Sequence, residues 1–423
     1  MDLLYTMGLA FVGGIILNVM PCVLPVLTMK IFHMIRHGQD NQTANKLHGL
    51  AYSAGIIFTL MTLAVGVLIL KASGEMVGWG MQFQNPSFVA ALTALIFVFG
   101  LNALGVFEFT LSFGGSGGGD GYMGSFINGI VCAIMSTPCS APFLGTAVGV
   151  ALATDAMWWE TVLLFFFIGF GLAFPFLLVS FIPRLAKLLP KPGAWMETFK
   201  HLMGFTLLGA AIWLYSVLLS QLTPSGATWF LGFLLVLALA AWMTHRFGGL
   251  METNRRRAVI HIVALSLVVA SGIIMIDFTP KAKVSAQPMA LDAPILTPEG
   301  KINWVPYSEA TLKKSASKAR PIFADFTADW CANCKANEKI FLETDPVRKT
   351  LQKTGIMPMM GDYTNEDEEI TLALRRLGRT AVPAYVIYMP DGTFDLMPEV
   401  ITTEMVVERL NAASAKYPPA NFK

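Results

Sequence analysis

About eight stretches of this chain are apolar enough and long enough to cross a lipid bilayer, and they decide its class before any motif is read. They run roughly through 3–29, 49–70, 87–107, 124–153, 158–182, 199–221, 226–244 and 258–277. A hydrocarbon core needs about 20 apolar residues in a helix to span it. With 54% hydrophobic and only 14% charged residues, the chain is excluded from the soluble globular class. The charge is uneven, because after about residue 290 the sequence becomes mixed and punctuated like a soluble domain, so the net charge of +2 carries little information. No nucleic-acid partner is expected, and the lipid bilayer itself is the first partner.

Short loops rich in Lys and Arg stay on the cytoplasmic side. Those loops hold Lys30, Arg36 and Lys46, then Arg184, Lys187, Lys191 and Lys200, then Arg246 and Arg255 to Arg257. The alternate loops carry only Lys71, or the acids Asp155 and Glu160, or no charge around Ser220 to Thr228. An even number of spans then puts both termini outside. The first apolar segment lacks a basic leader and a small-residue cleavage site, so it reads as a span and not as a signal peptide. The C-terminal domain is therefore expected in an oxidising compartment, a bacterial periplasm, with the spans in the inner (cytoplasmic) membrane.

Five cysteines mark where chemistry is concentrated. Two sit in matching turns, Pro21-Cys22-Val23-Leu24-Pro25 and Pro138-Cys139-Ser140-Ala141-Pro142. Two prolines four apart cannot occupy an undisturbed helix, because each removes a donor and clashes with the preceding turn. Each Cys is thus expected at a helix break, where unwound backbone is tolerated only beside protein or a water-filled cavity. Three spans separate the turns, so duplication of a three-span unit would invert the second copy, as in many transport folds. The run from Gly114 to Gly121 reads as the flexible link between the copies. The seventh and eighth spans have no counterpart and are expected to flank this core. Matching proline contexts point to Cys22 and Cys139 acting together. Cys132 has no such context and is read as structural. Met20, Met29, His201 and His261 are read as packing residues, with copper ligation as the alternative.

Residues 279–299 carry Pro280, Pro288, Pro294 and Pro298 and read as a semi-extended periplasmic tether. The domain expected at 300–423 alternates strand and helix. Strands are expected at 321–327 and 384–389, with helices at 335–342 and 405–415, an α/β pattern of thioredoxin size. Between the first strand and helix lies Trp330-Cys331-Ala332-Asn333-Cys334-Lys335. A Cys-x-x-Cys at a helix start favours a thiolate on the first sulfur and leaves the second buried. Cys331 is expected to attack and Cys334 to resolve. A zinc site would need about four ligands, and this domain has no His or second Cys pair. Capture of copper by the pair stays open beside redox exchange. Asp325 interrupts an apolar strand six residues before Cys331, and Glu338 follows on the helix. Carboxylates this close would tune the thiol and move its proton. Pro383, just before the later strand, is a candidate cis-proline facing the thiols.

The order and spacing of Met-Pro-Cys-Val-Leu-Pro at 20–25, Thr-Pro-Cys-Ser-Ala-Pro at 137–142 and Ala-Asp-Trp-Cys-Ala-Asn-Cys-Lys at 328–335 resemble the DsbD family of transmembrane thiol-disulfide reductases. That family includes ScsB-like members linked to copper tolerance and the related CcdA membrane core. The resemblance covers nearly the whole chain. It implies a protein-disulfide reductase with a polytopic α-helical membrane domain over 1–278 and a thioredoxin-like domain. Cys22 and Cys139 would take electrons from cytoplasmic thioredoxin and pass them to Cys331 and Cys334. The pairs alone would carry the electrons, without flavin, quinone or metal. Asp325 and Glu338 fall on that domain's acidic pair and Pro383 on its cis-proline. Members of the family also carry a periplasmic N-terminal immunoglobulin-like domain with its own cysteine pair. Here the first span begins almost at Met1, so a periplasmic thioredoxin-fold or isomerase-like acceptor is expected to be served either directly from Cys331 or through a domain this sequence does not contain.

Two other readings stand beside the reductase. A solute carrier would need ionisable or strongly polar groups at membrane depth, where these spans offer chiefly Asn18, Asn102 and Asn128. A copper-binding tolerance protein would use its thiols as ligands and keep binding copper without Cys22 or Cys139.

Overall fold

The structure, a computed structural model, describes residues 3–18, 42–72, 81–107, 121–134, 158–181, 194–247, 254–275, 293–379 and 381–418. The chain divides into two compact units. One is Met1–Val77, Ser87–Ser216 and Pro224–Thr279, and the other is Gly78–Pro86, Val217–Thr223 and Pro280–Lys423.

The first unit is helical. Its elements are α1 (Leu3–Leu17), α2 (Gln42–Ala72), α3 (Pro86–Ala103), α4 (Tyr122–Ile134), α5 (Trp158–Phe181), α6 (Ala194–Gln221), α7 (Pro224–Phe247) and α8 (Asn254–Met275). Among the described residues, six of these helices are long and apolar enough to cross a membrane, while α1 and α4 contribute the shorter apolar runs Met7–Leu17 and Tyr122–Ile134. These are the two helices that lead into the Pro-Cys turns. The turns themselves, with Pro21, Cys22, Pro25, Pro138, Cys139 and Pro142, lie outside the described residues, as do Met20, Met29 and the glycines from 114 to 119.

Helix packing in the first unit follows the expected repeat. In a membrane, helices associate through close van der Waals contact, which small residues allow. A Cβ added to Gly14 of α1 would lie 2.3 Å from the carbonyl oxygen of Ile168 on α5, and one on Gly171 would lie 2.3 Å from that of Phe11. The same pattern recurs between α4 and α2. A Cβ on Gly129 would meet the Tyr52 oxygen at 2.1 Å, and one on Gly55 the Phe126 oxygen at 2.2 Å. Exchanging α1 with α4 and α2 with α5 carries one contact set onto the other. The third pair behaves alike, with Gly100 of α3 against Leu208 of α6 and Gly204 of α6 against Leu104 beyond α3. This exchange is what two three-helix repeats require. α5 also packs against α2, and α7 against α8.

The second unit holds a five-stranded sheet in the order β1-β3-β2-β4-β5. The strands are β1 (Val305–Pro306), β2 (Ile322–Thr327), β3 (Met357–Asp362), β4 (Ala384–Tyr388) and β5 (Phe394–Leu396). β3 runs parallel to β1 and β2, whereas β4 runs antiparallel to β2 and β5. The central place of β2 explains why all six of its residues are buried, since helices cover both faces. Those helices are α9 (Glu309–Ser317), α10 (Ala332–Asn337), α11 (Asp345–Thr354), α12 (Glu368–Arg376) and α13 (Thr403–Lys416). One core joins Phe323 and Tyr385 to Leu342, Val347, Leu351, Val406 and Leu410.

The expected strands at 321–327 and 384–389 and the last helix are present within a residue or two at their ends. The expected helix at 335–342 is different in kind. It starts earlier, at Ala332, because Cys331 caps it, and it ends in a single π-helical turn, Glu338–Leu342.

Candidate functional site

The site lies where β2 stops. Beyond Thr327 the chain turns, Cys331 N–H donating to the Ala328 oxygen at 3.1 Å, and Cys331 then serves as the N-cap of α10. Its sulfur accepts from the Cys334 amide at 3.2 Å. When the pair is reduced, that amide favours the Cys331 thiolate. Cys331 and Cys334 are joined in a disulfide with Cα atoms 5.3 Å apart. Cys334 is 0% exposed and Cys331 8%, so the first cysteine is the one nearer the surface. The Val382–Pro383 peptide is cis, and the Val382 oxygen lies 3.9 Å from the Cys331 sulfur. Pro383, expected opposite the thiols, thus directly follows a carbonyl that lies against the Cys331 sulfur.

Asp325 sits two residues before the end of β2 with no exposed surface. Neither carboxylate oxygen has a hydrogen-bond partner. Burial holds its pKa well above the ordinary carboxylate range, and the nearby Glu338 charge adds to the rise while Lys335 opposes it. A buried acid whose pKa is raised is suited to giving and taking a proton.

Glu338 is half-buried and held from two sides. Thr327 Oγ1 donates to its Oε1 at 2.5 Å, and Lys335 Nζ lies 3.2 and 3.3 Å from its two oxygens. Lys335 also pairs with Asp329 at 3.2 Å. Burial presses the Lys335 ammonium toward neutrality, but Glu338 and Asp329 outweigh it and its pKa is raised. Deeper in, Asn337 Nδ2 donates to the Tyr385 hydroxyl at 3.1 Å and to the Glu399 carbonyl at 3.0 Å. Burial, with the Asp325 charge behind it, pushes the Tyr385 hydroxyl far above its usual range. Trp330 is buried, its indole stacked on Phe83 with centroids 6.3 Å apart.

The structure therefore brings together Cys331, Cys334, Asp325, Glu338, Trp330 and Pro383. Sequence reasoning missed Thr327, Asp329, Lys335 and Asn337. Lys335 and Asp329 were visible as flanks of the Cys-x-x-Cys, whereas nothing local distinguishes Thr327 or Asn337. Cys132 is a free, buried thiol. Asn18 and Asn102 spend their amides on backbone oxygens, Gly14 at 3.2 Å and Phe107 at 3.0 Å respectively. Among the described residues no cluster of three or more His, Cys, Asp and Glu is placed to hold a metal ion.

With this geometry in view, the comparisons with known proteins are specific. Residues 3–219 match the cytochrome C biogenesis protein transmembrane domain of the DsbD type, and residues 303–390 match a thioredoxin-like domain. The chain belongs to the DsbD transmembrane family. The thiol:disulfide interchange protein DsbD of Vibrio cholerae is 27% identical over 382 residues, covering 86% of this chain and 60% of the relative. That of Haemophilus ducreyi is 26% identical over 407 residues, 92% of this chain and 65% of the relative. That of Vibrio vulnificus is 28% identical over 379 residues, 85% and 58%. The chain thus spans about three fifths of the length of the DsbD relatives it matches. Among solved structures, the reduced C-terminal domain of Neisseria meningitidis DsbD aligns over 26% of this chain and 98% of that one, at 20% identity and a TM-score of 0.22, a likeness too low to bear on the fold. The apolar helices and the DsbD relatives make the chain a bacterial membrane protein.

Proposed function

We propose that this DsbD-family chain is a protein-disulfide reductase that carries reducing equivalents outward across the bacterial inner membrane. Cytoplasmic thioredoxin donates, Cys22 and Cys139 relay within the membrane domain, 1–278, and Cys331 and Cys334 deliver from the thioredoxin-like domain, 300–423, on the tether 279–299. Each step is one thiol-disulfide exchange. A thiolate attacks a disulfide sulfur, a mixed disulfide forms, and the partner thiol displaces it, so two electrons move and one disulfide replaces another. The acceptor is a periplasmic thioredoxin-fold or isomerase-like protein, reached directly or through an N-terminal domain, and both termini of this chain face the periplasm.

The observation that carries this reading is the Cys331–Cys334 disulfide at the capped start of α10, which follows a central strand that buries an unpartnered Asp325. A static structural disulfide needs no proton donor; an exchanging one does, because the leaving thiolate must be protonated at some step. In this mechanism Cys331 is the attacking sulfur, Cys334 resolves, and Asp325 and Glu338 exchange protons with the pair. The role given to Pro21, Pro25, Pro138 and Pro142 beside the membrane cysteines is the one expected from the sequence, and the exchange of contacts between the repeats supports alternating exposure of that pair. Thioredoxin lies near about −270 mV, so an acceptor of higher potential draws electrons outward. The cysteine pairs suffice as cofactor.

Thiol trapping in cells with and without cytoplasmic thioredoxin reductase tests the reading. Cys331 and Cys334 should be reduced in the first and oxidised in the second. A Cys334→Ala chain should hold its acceptor on Cys331 as a mixed disulfide, and an identical redox state in both strains would refute the proposed donor.

A further inference from the structure

Two short segments far from the thioredoxin-like fold in sequence belong to the same compact unit as that fold. They are residues 81–86, a 3-10 turn leading into α3, and residues 217–223, from the end of α6 to the start of α7. Their side chains meet one edge of the Cys331 site. Phe83 stacks on Trp330 with ring planes 17° apart. Ser220 Oγ donates to Asp329 Oδ2 at 2.5 Å. Gln84 Nε2 donates to the Tyr363 carbonyl at 3.3 Å.

Gln221 joins all three pieces. It is 0% exposed, and its Nε2 donates to the Phe83 carbonyl at 2.7 Å and to the Thr364 carbonyl at 3.3 Å. A buried primary amide is costly unless its donors are used. A leucine would fill the end of an apolar helix without that cost. An amide at this position is explained by the two carbonyls it reads, one from residues 81–86 and one from the loop after β3. Thr364 in turn accepts from the Asp329 amide at 2.9 Å. The contact therefore ends on Asp329 and Trp330, the two residues before Cys331, and it continues through the Asp329–Lys335 and Lys335–Glu338 pairs to the carboxylate of the site.

We propose that residues 81–86 and 217–223 form a seat for the thioredoxin-like fold of this same chain, holding it by Trp330, Asp329 and Tyr363–Thr364 while the Cys331–Cys334 disulfide is reduced. The inference rests on the relay reading for what the seat is used for, and on the described contacts for its existence. Hydrogen bonds from the neutral side chains of Gln84, Gln221 and Ser220, the last to the Asp329 carboxylate, and one ring stack make a specific grip, which suits a contact that must be released once per cycle. During that cycle a dithiol supplies two electrons and two protons to the Cys331–Cys334 disulfide and leaves as a disulfide. Phe83, Gln84, Ser220 and Gln221 position the pair and touch none of the reacting sulfurs.

The test uses the full chain in nanodiscs, supplied with reduced thioredoxin and quenched with an alkylating agent. The double variant Phe83→Ala/Gln84→Ala should reduce Cys331–Cys334 about tenfold more slowly. Its Cys22 and Cys139 should still be reduced at the wild-type rate, and dithiothreitol should reduce Cys331–Cys334 as fast as in wild type. Phe83→Trp, which keeps the stack, should restore the rate. A wild-type rate of Cys331–Cys334 reduction in the double variant overturns the proposal. Hydrogen exchange on the oxidised full chain reads the seat without any electron transfer. Gln221→Ala should speed exchange at residues 329–331 and 363–365, and unchanged protection there overturns the seat whatever carries the electrons. Failure of the relay reading would appear elsewhere, as reduction of Cys331–Cys334 that does not depend on Cys22.

Discussion

The hydroxyl of Thr327 donates to Glu338 Oε1 at 2.5 Å, tying the last residue of the central strand to the first residue of the π-helical turn behind the disulfide. Glu338 is thereby fixed between a neutral donor and the Lys335 ammonium. Thr327→Val keeps the shape and removes the donor. Reduction of a model disulfide substrate by the reduced full chain should slow by about threefold to tenfold, the size of one lost hydrogen bond to a charged acceptor. Thr327→Ser should recover most of the rate.

Asp325 gives the pH dependence its sign. Folding raises its pKa, so its contribution to stability is intact below the ordinary Asp value of 3.8 and is lost as pH rises toward the raised folded value. Asp325→Asn removes the ionisable group. The variant should match wild type near the bottom of that window and exceed it by a growing margin as pH rises through it. Denaturant midpoints of the C-terminal unit in the full chain, followed by pulse proteolysis at several pH values, check this. A wild-type advantage that grows with pH would contradict the sign.

Gly361 on β3 lies under Phe326 of β2. A Cβ at 361 would fall 2.4 Å from Phe326 Cδ1, and Phe326 is fully buried. Gly361→Ala should cost about 1–3 kcal/mol through overpacking, read as a lowered midpoint of the C-terminal unit. Phe326→Leu in the same chain should recover part of the loss.

The repeat contacts make a paired prediction. Gly14→Ala and Gly129→Ala would each drive a methyl into a carbonyl of the facing helix, Ile168 or Tyr52. Both should reduce the thermal stability of the purified membrane protein to a similar degree. Gly8→Ala, where no atom of a facing helix lies within 4 Å of the added Cβ, should leave it unchanged.

Much of this architecture was legible in the sequence because its signals are local. Apolar runs located the helices, Pro383 and the Cys-x-x-Cys announced themselves, and the apolar strand around Asp325 stood out. β3 did not, because its sequence, Met357-Pro358-Met359-Met360-Gly361-Asp362, carries the two residues that usually argue against an interior strand. Its neighbours override that. Pro358 pairs in register with Phe323, and Gly361 is required by the Phe326 ring. Thr327 and Asn337 were invisible because their roles depend on partners brought close only by the fold, Glu338 across the turn and Tyr385 across 48 residues. Phe83 and Gln221 were hidden for the same reason, since each reads as an ordinary residue near a helix end.

The central claim is that electrons reach Cys331 and Cys334 only through Cys22 and Cys139. Its most direct test is the redox state of Cys331 and Cys334, trapped by alkylation in cells expressing wild type, Cys22→Ala or Cys139→Ala. The relay predicts a reduced pair in wild type and an oxidised pair in both variants, whereas equal reduction in all three would contradict it.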